Sequence, residues 1–576
     1  MPTPPAVYEV TVAEALTQCL RREGIERVFG LPGSFLLPLL DAFHRGGLKN
    51  VESRHEGAAA FMAAAYGMAS GQVGVVHTAS GPGTTNALTG VAGAFADSVP
   101  LLLIMSQIMR ARFGTDFHQE SSGAIRAVDQ MDIFRSVSYY NARPPVADVA
   151  VAMMRMALRQ AIGRRGPTCY ELPFDLQWAK VRTEDMSPAS YRSMSTPVDV
   201  AGVESVCRML KDAKAPVLVI GDALTHVGAS AELTSFCEEQ QIPCATVNYT
   251  KGVIAEDHPL ALGVCGEYGQ GAANEYLEHA DLIITMGVRM GPRHTGWFGR
   301  KMCDGLVQID DDPQEIGRNL PVRLGVLGDV PATLRAMRAA MRGMTHTRSL
   351  EDRVAALREK HQVYAHPDSL TDSDPLTAPR LLRVAREVLP RDALVVGDTG
   401  SAMSELSTHF PVYAPDGFFA LYTLASMGSS LPMSLGVQLA RPEATVLNVI
   451  GDGSFLLYEG ELNVAVQHEL PVITLVLNNG LYKSVSDRQL AWFNRTYATT
   501  VPSSKYSEIG KAHGCDGYFV RTAEEARVAV TAAVKARRPT VIEAVVDPHY
   551  GKVTASSVKL ARTFMPTIPE GWPFLT

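Results

Sequence analysis

The stretch VLNVIGDGSFLLYEGELNVAVQHELPVITLVLNNGLY, residues 446–482, decides the fold. It begins with an apolar run, residues 446–450, which predicts a buried strand. Residues 459–469 have the composition of a helix, and a second apolar run, residues 472–477, predicts another buried strand. A strand, a helix and a second strand in this order are typical of a parallel sheet with helices on its faces.

The polar residues of this unit follow the two predicted strands. Gly451-Asp452-Gly453-Ser454 comes after the first strand and Asn478-Asn479-Gly480 after the second. Open parallel sheets bind ligands at the carboxyl ends of their strands. Asp452 supplies an anionic oxygen there, and Asn479, 27 positions later, supplies a neutral one. Mg²⁺ that also holds phosphates takes such oxygens, so the sequence predicts a phosphate–Mg²⁺ site; a surface loop that contains GDG is the alternative.

Composition, net charge and cysteine content limit the classes of protein to which the chain can belong. The chain has 576 residues, of which 46% are hydrophobic and 20% charged, and this predicts three to four domains with large cores. A net charge of −7 without a long basic block argues against nucleic acid as a partner. No apolar run approaches the ~20 residues of a membrane span, and the first residues lack the pattern of a secretory signal. The eight scattered cysteines form no CxxC pair, which predicts reduced thiols in a cytoplasmic protein.

Predicted strands alternate with predicted helices along three stretches of the chain. This pattern predicts an α/β fold with three doubly wound parallel-sheet domains, at residues 1–182, 201–342 and 378–560. Polar segments rich in Pro and Ser, residues 183–200 and 343–377, predict the linkers between them.

The stretch 446–482 resembles the diphosphate–Mg²⁺ motif of thiamine diphosphate enzymes. By that resemblance Asp452, Asn479 and the carbonyl group of Leu481 are the metal ligands. Further contacts to the cofactor fall, by the same resemblance, on residues around this motif and around the earlier GDTGS turn: Ser401, Ala402, Gly451, Gly453, Ser454 and Tyr482.

Two segments of the first predicted domain resemble the same enzymes. RHEGAAAFMAAAYG, residues 54–67, is similar to the segment that carries the activating glutamate, here Glu56. SGPGTTN, residues 80–86, is similar to the turn beside the aminopyrimidine ring, which it contacts through Pro82 and Asn86. The Ala- and Gly-rich helix after Glu56 is expected to pack closely on a sheet or on a second subunit.

A segment of the third domain, TLASMGSSLP at residues 423–432, resembles the part of these enzymes that shapes the cofactor. Met427 is the apolar residue that folds the two rings together, and Ala425 offers a backbone acceptor to the amino group. This folding matters because the cofactor serves as its own base at thiazolium C2, and Glu56 favours the imino tautomer that takes the C2 proton.

Two segments of the central domain, residues 288–296 and 307–319, resemble the middle domain of acetolactate synthases, where FAD binds. FAD is therefore a further candidate cofactor beside thiamine diphosphate and Mg²⁺. Since the resemblance covers essentially the whole chain, the protein is identified as a member of the acetolactate synthase, pyruvate oxidase and benzoylformate decarboxylase superfamily. The three domains are then pyrimidine-binding, central and nucleotide-binding-like, and diphosphate-binding.

The candidate substrate residues come from two subfamilies. GTDFHQESS, residues 114–122, resembles the glutamine loop of acetolactate synthases and makes Gln119 an active-site candidate, while Arg293 falls where those enzymes bind the acceptor's carboxylate. Ser34 and His77 fall where benzoylformate decarboxylase has its active-site serine and histidine. We therefore predict His77 as a proton shuttle.

Three departures separate the chain from a standard acetolactate synthase: Phe174 replaces the lysine of Pro-Lys-Asp, Arg488 stands near the place of an expected tryptophan, and Gly480-Leu481-Tyr482 replaces Glu-Glu-Gln. We predict a carboligase or decarboxylase of 2-oxo acids that forms 2-hydroxy ketones or acetohydroxy acids. The alternatives are a non-ligating benzoylformate-type decarboxylase, a thiamine diphosphate- and FAD-dependent oxidase of the pyruvate oxidase type, and a catalytically silent regulatory homologue.

The predicted partners are small molecules and copies of the same chain. The donor is a 2-oxo acid, and the acceptor is an aldehyde or a second oxo acid. The resemblance also implies a homodimer or homotetramer, since in this family the pyrimidine domain of one subunit faces the diphosphate domain of another.

Overall fold

The computed structural model describes residues 7–193, 197–296, 303–344 and 349–550. The predicted end of the third domain at residue 560 lies outside these ranges. Within them, no helix is both long enough and apolar enough to cross a membrane.

The described residues form twenty strands, which are numbered in chain order. They are β1 (Val7–Thr11), β2 (Arg27–Gly30), β3 (Lys49–Val51), β4 (Gly74–Thr78), β5 (Leu101–Gln107), β6 (Asn141–Ala142), β7 (Pro167–Pro173), β8 (Lys180–Glu184), β9 (Pro216–Ile220), β10 (Cys244–Thr246), β11 (Ala261–Val264), β12 (Leu282–Met286), β13 (Leu306–Asp310), β14 (Leu324–Leu327), β15 (Leu394–Gly397), β16 (Phe418–Phe419), β17 (Val446–Gly451), β18 (Ile473–Asn478), β19 (Asp516–Val520) and β20 (Thr540–Val545).

The described residues also form twenty-one α-helices. They are α1 (Val12–Arg22), α2 (Leu37–Arg45), α3 (Glu56–Ser70), α4 (Pro82–Asn86), α5 (Leu88–Ala96), α6 (Gln130–Phe134), α7 (Ala147–Gly163), α8 (Phe174–Trp178), α9 (Val200–Asp212), α10 (Ser230–Gln240), α11 (Gly271–Glu278), α12 (Val330–Ala340), α13 (Glu351–Lys360), α14 (Ala378–Val388), α15 (Ser401–His409), α16 (Ser430–Ala440), α17 (Asp452–Phe455), α18 (Leu462–Gln467), α19 (Lys483–Phe493), α20 (Tyr506–Ala512) and α21 (Ala523–Ala536).

Three six-stranded sheets carry the fold, and every strand pair within them is parallel. Their strand orders are β3-β2-β4-β5-β7-β6, β11-β10-β9-β12-β13-β14 and β16-β15-β17-β18-β20-β19. The predicted fold class, three α/β domains with doubly wound parallel sheets, is confirmed. The deciding stretch also folds as predicted, since β17 and β18 pair in parallel, although α18 is shorter than the predicted helix.

Each sheet has a point where the strand order reverses, and such points are where doubly wound sheets bind ligands. The reversal lies between β2 and β4 in the first sheet and between β15 and β17 in the third. The predicted Ser34 and SGPG turns follow β2 and β4, and the GDTGS and GDGS turns follow β15 and β17. The sequence motifs therefore follow the strands at which the topology favours a site.

The chain divides into two compact units. Within the described residues, the first unit holds everything up to residue 193 together with residues 421–443 and 458–472, and the second unit holds the rest. The two later segments of the first unit were predicted to belong to the third domain. The predicted domain limits themselves stay predictions.

Helix α3 is deeply buried in the first unit. Its residues are buried on all sides except at Met68 and Ser70, and it packs along α16. A side chain at Gly436 would approach the carbonyl oxygen of Met62 to 2.2 Å, so the two helices meet at backbone contact. The close packing expected of the Ala- and Gly-rich helix therefore occurs within the chain.

We predict that Gly436→Ala lowers the free energy of unfolding of the first unit. The added methyl group has no space against the Met62 carbonyl, and overpacking of this kind costs about 1–3 kcal/mol. Urea unfolding followed by circular dichroism measures the change. Gly163→Ala is the control, because nothing lies within 4 Å of a methyl group at that position. Equal midpoints for the two variants would contradict the described contact.

Candidate functional site

Asp452 is the centre of the candidate site in the second unit. It begins the short helix α17 directly after β17, and its residue is only 2% exposed. Its Oδ1 accepts a hydrogen bond from Gly453 N at 2.7 Å, and its Oδ2 accepts from Asn479 N at 3.0 Å and Gly480 N at 2.6 Å. Burial raises the pKa of this carboxyl group, and the three backbone donors oppose that rise. The carboxylate thus joins the ends of β17 and β18.

The predicted metal ligands lie around this carboxylate. The Oδ1 atom of Asn479 accepts a hydrogen bond from Leu481 N at 3.0 Å, which fixes the amide beside the Leu481 backbone. The ring of Tyr482 lies against Gly453, where a side chain would approach Tyr482 Cε1 to 2.5 Å. Asp452, Asn479, Leu481 and Tyr482 are therefore brought together as predicted from the sequence.

The donor set fits Mg²⁺ that is held jointly by protein and diphosphate. One carboxylate, one amide oxygen and one carbonyl group leave positions for phosphate oxygens, which is how proteins usually bind this ion. Among the residues described, no group of three or more His, Cys, Asp or Glu side chains could hold a metal ion.

The GDTGS turn supplies the second half of the candidate diphosphate site. Ser401 and Ala402 begin α15 directly after this turn, and Thr399 N donates to Asp398 Oδ1 at 2.8 Å. A side chain at Gly400 would lie 4.0 Å from Ser484 Cβ, so this turn contacts the first turn of α19. Because β15 and β17 pair in parallel, their following turns lie at the same sheet edge.

Glu56 is the centre of the candidate site in the first unit. It is the first residue of α3, is 8% exposed, and its Oε2 accepts a hydrogen bond from Asn86 Nδ2 at 3.0 Å. A side chain at Gly83 would lie 3.0 Å from Glu56 Oε1, so the carboxylate also faces the turn that begins at Pro82. Three predicted residues, Glu56, Pro82 and Asn86, are thus gathered at one place.

A second buried carboxyl group, Glu461, lies close enough to Glu56 for their charges to interact. It is 1% exposed and its Oε1 accepts a hydrogen bond from Arg54 N at 2.9 Å. Burial raises the pKa of Glu461 to about 7, and the charge of Glu56 adds to that rise. Sequence reasoning missed this residue because it is one of several acidic residues in its segment and carries no motif of its own.

A buried polar network organises the SGPG turn and the Gln119 loop. The side chain of Glu171, on β7, is fully buried and its Oε1 accepts from Gln107 Nε2 at 2.6 Å and from Gln130 Nε2 at 3.0 Å. Gln130 Oε1 in turn accepts from Gly81 N at 3.4 Å, so the network reaches the SGPG turn.

The same network reaches Gln119. Ser80 Oγ donates to the carbonyl oxygen of Gln119 at 2.8 Å, and Gln119 has a φ of +60°, a conformation that a residue with a side chain seldom adopts. The loop is therefore held in a strained conformation beside the SGPG turn, which is common at functional sites.

Ser34 lies next to this assembly. It is exposed at the start of a 3₁₀ turn, and a side chain at the preceding Gly33 would lie 2.8 Å from Ala79 Cβ. Phe35 contacts Phe117 and Phe174, with ring centroids 6.2 Å and 5.8 Å away. Phe174, which stands in place of the expected lysine, thus makes an apolar contact rather than supplying a charge.

His77 does not reach any surface in this structure. It is 0% exposed, its Nε2 lies 2.6 Å from Asn50 Oδ1, and its ring lies under Gly30, where a side chain would approach the ring to 2.9 Å. Burial lowers the pKa of His77 to about 4. The geometry makes it a neutral core residue and gives no support to the predicted proton shuttle, because a strand-end position in the sequence does not reveal how tightly the next turn covers it.

Ala425 and Met427, also in the first unit, have the exposure that their predicted roles need. Ala425 has a φ of +58°, a strained conformation for alanine, and Met427 is 37% exposed. An exposed methionine on a strained segment fits an apolar surface that binds a ligand.

Arg293 lies on the second unit near two further polar residues. Its backbone carbonyl accepts a hydrogen bond from Glu267 N at 2.7 Å. Burial and the charge of Glu267 raise the pKa of Tyr268, and the charges of Arg488 and Arg293 oppose that rise. Arg488 Nη2 donates to the Tyr268 hydroxyl at 3.2 Å. Arg293 is a predicted substrate residue, and Arg488 is one of the three departures from the acetolactate synthase pattern. Both affect the same tyrosine, Tyr268.

The carboxyl edge of the central sheet carries several acidic side chains. Asp310 ends β13, and burial raises its pKa to about 7, with contributions from the charges of Asp222 and Glu315. Arg289 lies 4.0 Å from Asp222 and 3.6 Å from Glu315. This edge of the central sheet thus places one cation, Arg289, among several carboxyl groups.

Comparison with known proteins agrees with this arrangement. Three family models match: the thiamine pyrophosphate enzyme N-terminal TPP binding domain at residues 10–133, the central domain at 203–337, and the C-terminal TPP binding domain at 398–544. The chain is 30% identical to the acetolactate synthase large subunit of Parasynechococcus marenigrum, over 93% of this chain and 88% of that protein. It is 28% identical to the acetolactate synthase isozyme 2 large subunit of Escherichia coli, over 93% and 95%.

We predict that Asp452→Ala abolishes the retention of thiamine diphosphate. The substitution removes the anionic oxygen for Mg²⁺ and also the acceptor that joins β17 to β18. Cofactor content after gel filtration measures the effect, and prolonged dialysis against a chelator should reproduce it in the unmutated protein. Asp392→Ala, at an exposed position before β15, is the control. Full cofactor content in the Asp452 variant would refute the site.

We predict that Glu461 makes stability depend on pH. Its folded pKa of about 7 exceeds its ordinary value of 4.5, so its contribution to stability is present below about pH 4.5 and is lost as pH rises through 7. The loss amounts to about 3 kcal/mol at most. Glu461→Gln keeps the acceptor for Arg54 N but cannot ionise. Urea unfolding at a series of pH values should show this slope in the unmutated protein only; parallel curves would contradict it.

Proposed function

Because this chain belongs to the thiamine diphosphate-dependent, acetolactate synthase-like superfamily, we propose that it is a Mg²⁺-dependent decarboxylase and carboligase of 2-oxo acids. The observation that carries this proposal is the placement of Glu56. A carboxylate at the start of α3 that is bound to Asn86 and faces Gly83 has the surroundings expected of the activating acid. Its products would be 2-hydroxy ketones or acetohydroxy acids.

Each unit has residues that fit a part of the cofactor. In the second unit, Asp452, Asn479 and the carbonyl group of Leu481 would hold Mg²⁺. The diphosphate would be held by the turns at Ser401, Ala402, Gly451, Gly453 and Ser454, with Tyr482 beside them. In the first unit, Pro82, Asn86, Ala425 and Met427 would contact the ring system. When bound, thiamine diphosphate supplies the acidic carbon and the electron sink that decarboxylation of a 2-oxo acid needs.

Glu56 would act by holding a proton. A carboxyl group that is 8% exposed and bound to an amide donor is sheltered from water, so its proton can be shared with a ring nitrogen of the bound cofactor rather than with solvent. Asn86 would keep the carboxyl group oriented through its hydrogen bond to Oε2.

Each unit carries candidate substrate-binding residues. Gln119 and Ser34 lie beside the SGPG turn, where the polar network of Glu171 orients the loop. Arg293 would bind the carboxylate of the acceptor through charge-assisted hydrogen bonds. Ligation is favoured over plain decarboxylation because the glutamine loop is built into this network, while the buried His77 offers no acid for releasing an aldehyde.

An oxidase that uses FAD stays the alternative, with FAD as a candidate cofactor of the central domain. A yellow protein that consumes oxygen would favour the oxidase instead. A catalytically silent homologue has no need of the buried Glu56–Asn86 pair.

We further propose a cytoplasmic homodimer or homotetramer that binds neither nucleic acid nor membrane. All eight cysteines are free thiols, which fits a reducing compartment, and closed two-fold assemblies are the commonest. Light scattering tests the assembly; an active monomer would overturn it.

We predict that Glu56→Gln binds thiamine diphosphate but loses activity. A neutral amide cannot drive the tautomer change, so exchange of the C2 proton, followed by NMR in D₂O, should slow by several orders of magnitude. CO₂ release and product mass with a panel of 2-oxo acids test the proposed function in the unmutated enzyme. A wild-type exchange rate in the variant would assign the acid elsewhere. No CO₂ from any 2-oxo acid would overturn the proposed function.

A further inference from the structure

We propose that this site takes a 2-oxo acid whose side chain ends in a second anionic group, and that Arg488 binds that group. The inference rests on the proposed function and names its substrate class. It is carried by the position of Arg488, by its lack of a charged partner and by the fixed geometry of Tyr268.

Arg488 lies on the face of α19 that meets the candidate diphosphate site. Ser484, in the first turn of this helix, contacts Gly400 of the GDTGS turn. Arg488 is four positions later, which places it on the same face about 6 Å further along the helix. A side chain as long as arginine can therefore extend beside a molecule bound at that turn.

Arg488 has no charged partner within the described part of the chain. Its hydrogen bond goes to the hydroxyl of Tyr268, whose raised pKa keeps the phenol neutral. The nearby Lys483, by contrast, is paired with Asp487 at 2.8 Å. A guanidinium group has five N–H donors, so a half-buried Arg488 with one neutral acceptor retains most of them for an anionic ligand.

Tyr268 is hydrogen-bonded to Arg488 and lies within reach of the charges of Glu267 and Arg293. Its carbonyl oxygen accepts from Thr408 Oγ1 at 3.2 Å, which ties it to α15. A side chain at Gly266 would approach the carbonyl oxygen of Arg293 to 2.2 Å, so the Tyr268 loop is packed directly on the Arg293 segment. The backbone of the Arg293 segment and the side chain of Arg488 thus both contact the loop that carries Tyr268.

The charge of Glu267 also acts on Tyr268, so the second anionic group is inferred from Arg488, which has no charged partner among the described residues. Arg293 would take the carboxylate next to the reacting carbonyl, and Arg488 would take the group at the far end of the side chain. The planar fork of arginine binds carboxylates and phosphonates alike. The shared chemistry is therefore an anionic side-chain terminus, and the two forms are separated by experiment.

The test measures binding without turnover. In protein that carries Glu56→Gln and is loaded with thiamine diphosphate and Mg²⁺, calorimetry compares 2-oxoglutarate with 2-oxopentanoate, which has a methyl group in place of the second carboxylate. We expect 2-oxoglutarate to bind about 10-fold or more tightly, as one charge-assisted contact allows. The preference should weaken as salt is added. The phosphonate analogue of 2-oxoglutarate shows which anion is preferred.

Adding Arg488→Gln should remove the preference and leave the affinity for 2-oxopentanoate unchanged. Arg488→Lys should retain part of it. Arg495→Gln, at an exposed position just after α19, is the control and should keep the full preference.

Equal affinities for the two acids in the parent protein would overturn the proposal, even if Arg488→Gln does not fold. A preference that survives Arg488→Gln would also overturn it. The failure of the proposed function is a separate outcome, because CO₂ release is measured in the unmutated enzyme.

Discussion

The second unit depends on one buried carboxylate that is satisfied by backbone. Burying an ionised Asp452 is costly unless donors replace the lost water, and the N–H groups of Gly453, Asn479 and Gly480 do so. These donors belong to the turns that follow two neighbouring strands. The carboxylate therefore holds the two turns together, and the turns keep the buried carboxylate hydrogen-bonded. The same oxygens fit Mg²⁺, so the constraint that holds this sheet edge together also sets the chemistry it can support.

The strand order of the sheets determines where both candidate sites lie. In the first and third sheets, the strand order reverses between two neighbouring strands, and the turns after those strands carry the polar residues. In the first unit the reversal gathers the Ser34 turn and the SGPG turn, and α3 brings Glu56 to the same place. A buried carboxyl group again organises the surroundings, since Glu171 links Gln107 and Gln130 to the turn and to the Gln119 loop. Rigid sheet edges thus position residues that come from distant parts of the chain.

The strands and the turns that follow them depend on short stretches of sequence, and these could be predicted. The apolar runs at residues 446–450 and 472–477 form paired strands, and the polar turns after them meet as expected. Glu56, Pro82 and Asn86 could be predicted together because their motifs are short and specific. Glu171 and Glu461 could not be predicted, since each is a single acidic residue whose donors come from other segments. The burial of His77 under Gly30 could not be predicted either, because it depends on a contact between strands. The assignment of residues 421–443 and 458–472 to the first unit likewise depends on long-range packing.

The central claim is that Asp452 and Asn479 hold thiamine diphosphate through Mg²⁺. The most direct test is a calorimetric titration of thiamine diphosphate into the unmutated, metal-stripped protein, with and without added Mg²⁺. The account predicts tight binding when Mg²⁺ is present and weak or undetectable binding when it is absent, because the described site offers the diphosphate turns and backbone donors but no cation of its own at Asp452. Equal affinity under both conditions would contradict the account.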